Sequence, residues 1–135
     1  MSPIRAGLIC AVVALLTMNS QAADSTAYII SPAAGAVVKS PLTVVFGLRA
    51  PWGVAPAGTK LEKTGHHHLL VDAPLPDLTQ PVPKDAQHLH FGGGQTETTL
   101  TLAPGKHTLQ LLLGDFAHVP HQPPVMSEVV TITVE

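Results

Sequence analysis

The sequence predicts an all-β protein, an immunoglobulin-like antiparallel β-sandwich of about seven strands. Three observations carry that expectation. Apolar residues recur with a period of two in short runs, Gly and Pro residues punctuate the intervals between the runs, and no stretch beyond the N-terminal apolar segment shows helical periodicity. Strands at this spacing in just over a hundred residues are the pattern of a sandwich. The 135 residues leave room for one domain with one core, and a composition 45% hydrophobic and 12% charged is that of a folded chain.

Taken in order, residues 1–22 read as a secretory signal peptide and residues 23–135 as the sandwich domain. Arg5 is the basic start, Ala6 to Thr17 the apolar stretch, and Ser20-Gln21-Ala22 the small-residue cleavage pattern. The apolar stretch is too short for a good transmembrane span. Ala27 to Ile30 forms a first strand, ended by Ser31-Pro32 and the turn-forming Ala33-Ala34-Gly35. Leu42 to Leu48 alternates strictly, with Leu42, Val44, Phe46 and Leu48 on one face, the mark of a half-buried strand. Arg49 to Gly65, rich in Gly and Pro, reads as a loop.

His66 to Asp72 is the next strand, followed by a proline-rich irregular segment from Ala73 to Asp85 whose prolines cannot donate to a ladder. Gln87 to Phe91 alternates so that His88 and His90 share a face. Gly92-Gly93-Gly94 turns the chain, with none of the residues of a phosphate loop around it. Gln95 to Leu102, His107 to Leu113 and Ser127 to Val134 complete the set. Leu102 to His107 resembles the tyrosine-corner turn of such sandwiches, with His107 where tyrosine usually stands, so His107 is assigned a structural role.

Strands that alternate in direction bring three connections to one pole. That pole receives His66, His67 and His68 at the start of one strand, His88 and His90 at the end of another, and Asp115, His118 and His121 in the last loop. Histidines at i and i+2 on a strand point the same way with Cα atoms roughly 6.5 Å apart, close enough for both to reach one ion. The expected metal ligands are therefore His66, His68, His88, His90, His118 and His121. His67, Asp115 and Glu97 are further candidates, the two acids as oxygen ligands or as acceptors for the ligand rings. Taken singly, each histidine also has an ordinary explanation as a solvated or hydrogen-bonded residue.

Imidazole nitrogen suits copper or zinc. The one cysteine, Cys10, lies within the signal stretch, so a thiolate copper site of the electron-carrier kind is excluded, as is a disulfide framework. An oxygenase built on an N-terminal histidine is disfavoured, because the expected mature terminus is alanine. Loss of Arg5 with the signal leaves six Lys and Arg against nine Asp and Glu, a formal charge of −3. That balance excludes a basic footprint for nucleic acid. No Ser-His-Asp order with a nucleophile elbow and no carboxylate pair for glycoside hydrolysis is present.

The segments Gly65 to Asp72, His88 to Glu97, and Leu102 to Leu111 with Gly114 to His118 carry the wording of one bacterial exported family, catalogued as domain of unknown function 4399. The chain resembles that family from about Val44 to Val134. The resemblance implies a small exported bacterial domain and brings no activity with it.

The resulting expectation is a periplasmic or secreted protein that buffers or delivers copper or zinc without turnover, with no catalytic residues assigned. Its partners would be the metal ion and an envelope protein, with no nucleic acid and no membrane span after signal cleavage. Two alternatives stand beside it: a metal-dependent enzyme with Glu97 or Asp115 as base, and a metal-free module that binds envelope components.

Overall fold

Leu42, Val44 and Phe46 are buried while Thr43 between them is exposed, and this alternation is what commits the strand to one face of a core. The computed structural model describes residues 25–135; the expected signal peptide, with Cys10, lies outside the described residues. The strands are β1 (Ala27–Ser31), β2 (Val37–Val38), β3 (Leu42–Leu48), β4 (Gly53–Val54), β5 (Thr64–Val71), β6 (His88–His90), β7 (Glu97–Leu100), β8 (Gly105–Gly114) and β9 (Val130–Val134). The seven expected strands are all present. β2 and β4 are two-residue additions, and β4 lies in the segment expected to be loop throughout.

Two sheets face each other. The smaller has the order β1-β3-β7, and the larger β2-β9-β8-β5-β4, with β6 also pairing β5. Pairing is antiparallel except at the short strands, where β2 runs parallel to β9 and β4 parallel to β5. Between the sheets lie Val44, Phe46, Leu69, Val71, Leu109, Leu111, Leu113 and Ile132, all at most 6% exposed. No helix among the described residues is long and apolar enough to cross a membrane.

The central pair β5 and β8 departs from simple alternation. Every residue from Gly65 to Val71 and from Leu109 to Gly114 is buried, so both faces of these strands are covered. The outward face is roofed by the segments that follow β5 and β8. Leu70 and Leu112 pack there with Val82, Leu78 and Met126 in a second apolar cluster. The two roofing segments are tied together by Val82 N donating to His118 O at 2.9 Å and Gln122 Nε2 donating to Leu78 O at 3.2 Å. The prolines of residues 73–85 suit a covering segment of this kind, which needs fixed φ angles and no ladder hydrogen bonds.

Candidate metal centre

Alternation along β5 divides its three histidines between two environments. His67 turns inward with Leu69 and Val71, its ring 5.2 Å from that of Phe46. His66 and His68 turn outward beneath the roof and are at most 1% exposed. β6 pairs with β5 so that His90 stands directly opposite His68, and paired residues of an antiparallel ladder project to the same side. His118 arrives from the segment after β8.

Those four side chains, His66, His68, His90 and His118, form one group whose candidate ligand nitrogens all lie within 4.8 Å of one another. The centroid of the His66 ring is 4.8 Å from that of His68, 5.0 Å from His90 and 4.9 Å from His118. His66 Nε2 and His118 Nδ1 are hydrogen-bonded at 3.0 Å, one as donor and the other as acceptor. Small residues make room for the rings. A Cβ on Gly114 would stand 2.6 Å from His68 Cε1, and one on Gly92 would collide with the His90 ring. His118 itself has a φ of 68°, an uncommon conformation for a residue with a side chain. Asp115 holds that turn, its Oδ1 accepting from Ala117 N at 2.8 Å and Val119 N at 3.0 Å, while its carbonyl accepts from His118 N at 3.0 Å.

The electrostatics favour the uncharged form of His66, His68 and His90 at neutral pH. Burial, reinforced by His118 and His90, pushes His66 down to about 4 against a weaker opposing pull from Asp115. Burial, reinforced by His66, His90 and His118, pushes His68 down to about 3, while the backbone of Leu112 works the other way. His90 is lowered by burial first, then by His118 and Lys84. Neutral imidazoles offer lone pairs, the form a metal ion requires. Buried ring nitrogens without hydrogen-bond partners include His66 Nδ1, both nitrogens of His68, whose approach to the Leu112 backbone falls short of hydrogen-bond geometry, and His90 Nε2. Leaving a buried polar atom unpaired costs on the order of 1–3 kcal/mol. Several such atoms in one place form a donor set short of an acceptor of electron pairs.

The donor set fits an ion in kind and nearly in size. Bonds of about 2.0–2.1 Å place neighbouring nitrogens of a tetrahedron roughly 3.3 Å apart. Closing the observed group around an ion therefore asks for ring movements of about 1.5 Å or less, given its 4.8 Å limit. His90 and His118 are half-buried and line a cleft of about 220 Å³, so the group is reached from solvent on that side.

The remaining sequence candidates stand apart from the four. His88 shares the face of His90, but its Nδ1 is held 2.8 Å from Asp85 Oδ1, three residues earlier. His121 stacks on Trp52 with centroids 4.5 Å apart, and burial lowers it. His67 is buried in the core, pushed down to about 4 by that burial. Glu97 is exposed on β7 of the smaller sheet, opposite Val45. Asp115 shapes the loop that carries His118. His107, set aside as structural, holds Asp72 Oδ2 at 2.6 Å through Nδ1 and the Ala103 carbonyl at 2.7 Å through Nε2, four residues upstream as a corner side chain should. Sequence reasoning passed over Pro81, Val82 and Lys84, which complete the cleft with His90 and His118. Nothing in a proline-rich segment distinguishes them from any other loop.

No curated protein and no solved structure matches this chain. The sequence pattern of one family matches residues 44–135, the stretch that supplies β5, β6, β8 and all four clustered histidines. The chain belongs to that family, described as Domain of unknown function (DUF4399).

Proposed function

We propose that this protein is a periplasmic binder of a transition-metal ion, copper or zinc, held by His66, His68, His90 and His118, and that it buffers or delivers the ion. The observation that carries the reading is the meeting of four imidazoles from three segments with nitrogens within 4.8 Å, several of them buried and unpaired. Two ligands on a rigid central strand, one on a short neighbouring strand and one on a loop suit an ion that must be held and later released. Export of the kind expected from residues 1–22 would put it in an envelope compartment.

Binding without turnover is preferred over metal-dependent catalysis on one observation. The two acids that could act as base are engaged or distant: Asp115 Oδ1 accepts two backbone N–H groups, and Glu97 is exposed on the other sheet. The test is a titration of untagged protein with zinc and with Cu(II), run as pH is lowered. The reading expects one equivalent per chain and an affinity that falls through mild acid, since protons compete for the same nitrogens. Binding that is weak, of variable stoichiometry or flat with pH would remove it.

A further inference from the structure

A divalent ion among four neutral imidazoles would carry its full charge into a largely desolvated place. Among the described residues, no carboxylate belongs to the group of clustered ligand atoms, and Asp115, whose charge reaches His66, has its Oδ1 engaged by the backbone of its own loop. Burying uncompensated charge is costly, and a bound cation is the dominant local charge wherever it sits, so such a centre favours an anion as an additional ligand. Three features of the cleft bear on which anion. It opens onto His90 and His118, the two histidines that are half-buried. Lys84 stands on its rim, close enough to act electrostatically on His90. Its remaining wall is Pro81 and the buried Val82, apolar groups fixed by the bond from Val82 N to His118 O at 2.9 Å.

We propose that this cleft is the binding site for a small organic carboxylate, which ligates the bound metal through one oxygen, meets the Lys84 ammonium with the other, and lays its short apolar body on Pro81 and Val82. The proposal rests on the metal-binding reading above. A volume of about 220 Å³ admits a group of a few heavy atoms. Inorganic anions satisfy the charge and leave the apolar wall uncovered, which is why the carboxylate is favoured over them. A protein that takes up or hands over its ion as a mixed complex with such a ligand needs an entrance of this kind.

The experiment loads the full exported chain with Co(II) and follows its visible absorption bands while propionate, acetate, phosphate or azide is added. Saturable band shifts are expected with propionate, at lower concentrations than with acetate. In Lys84→Ala the propionate affinity should drop about tenfold, the scale of losing one charge-assisted contact, while Co(II) affinity stays within about threefold of the parent. Lys84→Arg should restore most of the propionate response. Lys84 is exposed, so these variants fold as the parent does. Bands that do not move with propionate, that move only with the inorganic anions, or that move equally in Lys84→Ala would overturn the carboxylate site and leave the metal reading standing. Absence of any protein-bound cobalt spectrum would overturn the metal reading and this proposal with it.

Discussion

His66 and His107 stand near opposite ends of the same β5–β8 pair, and their surroundings are opposites too. Both nitrogens of His107 are engaged, one by Asp72 Oδ2 and one by the Ala103 carbonyl. Asp72 also accepts Thr108 N at 2.8 Å, so this corner is a saturated hydrogen-bonded latch. At the other end His66, His68, His90 and His118 face one another with several nitrogens unpaired. The first arrangement raises the affinity of its histidine for protons, chiefly through Asp72 and then through the Ala103 carbonyl. In the second, burial lowers it for His66, His68 and His90. One residue type thus serves as a structural tie where acceptors are supplied and as a lone-pair donor where they are withheld.

The contrast breaks most sharply at the level of single substitutions. His68→Ala should weaken zinc or copper binding by more than about a hundredfold, beyond the cost of losing a group that merely supports a ligand. His107→Ala should leave metal affinity unchanged and instead destabilise the fold, by roughly 1–2 kcal/mol for two lost hydrogen bonds at a partly exposed site. Competition titrations and urea unfolding of the two variants separate the effects. Equal losses of metal affinity in both would erase the distinction between the two ends.

Heat provides the next largest effect. Metal at a thousand times its dissociation constant should stabilise the parent by about 4 kcal/mol, raising Tm by on the order of 15 °C. The shift should vanish in His68→Ala and persist in His107→Ala when Tm is followed by calorimetry.

Acid sharpens the comparison because the two ends have opposite signs. Without metal, His66 and His67 at about 4 and His68 at about 3 stay neutral in the folded chain, whereas in the unfolded chain they take up protons near 6.5. Stability should therefore fall as pH drops from about 6.5, levelling off below about 4 for His66 and His67 and below about 3 for His68, by on the order of a few kcal/mol per buried ring and most for His68. His107 is raised, so its latch contributes fully below about 6.5 and loses its contribution as pH climbs past its folded-state value. The stability gap between parent and His107→Ala should be widest in acid and narrow with rising pH, measured by urea unfolding at stepped pH. A gap that widens toward alkaline pH would contradict the assignment.

The smallest effects should come from candidates that stand apart from the cluster. His88→Ala and Glu97→Gln are expected to change metal affinity by no more than about twofold, since the His88 ring is turned to Asp85 and Glu97 lies on the other sheet. A large loss in either variant would enlarge the ligand set.

Strand positions were legible wherever one face is buried and the other wet. Leu42 to Leu48 is the clearest case, its bounds in the sequence pattern matching β3. The meeting of β5, β6 and the last loop followed from direction of travel alone. The placement of the cluster on the outward face, beneath a roof, did not follow. Alternation says that His66 and His68 share a side, but which side is inward is decided by Leu69 and Val71 filling the core, and an unbroken buried run hides that choice. The difference between His88 and His90 was also hidden. It depends on Asp85 folding back in a turn that gives its Oδ1 to Gln87 N, His88 N and the His88 ring. The packing of His121 against Trp52 was hidden as well, a contact from a loop whose path no local pattern specifies.

The most direct test is X-ray absorption at the metal edge of the zinc-loaded protein. The account predicts a first shell of nitrogen at about 2.0–2.1 Å with the outer-shell scattering of four imidazole rings, reduced by one ring in His68→Ala and unchanged in His107→Ala. A shell of oxygen without imidazole scattering, or one that His68→Ala leaves intact, would contradict it.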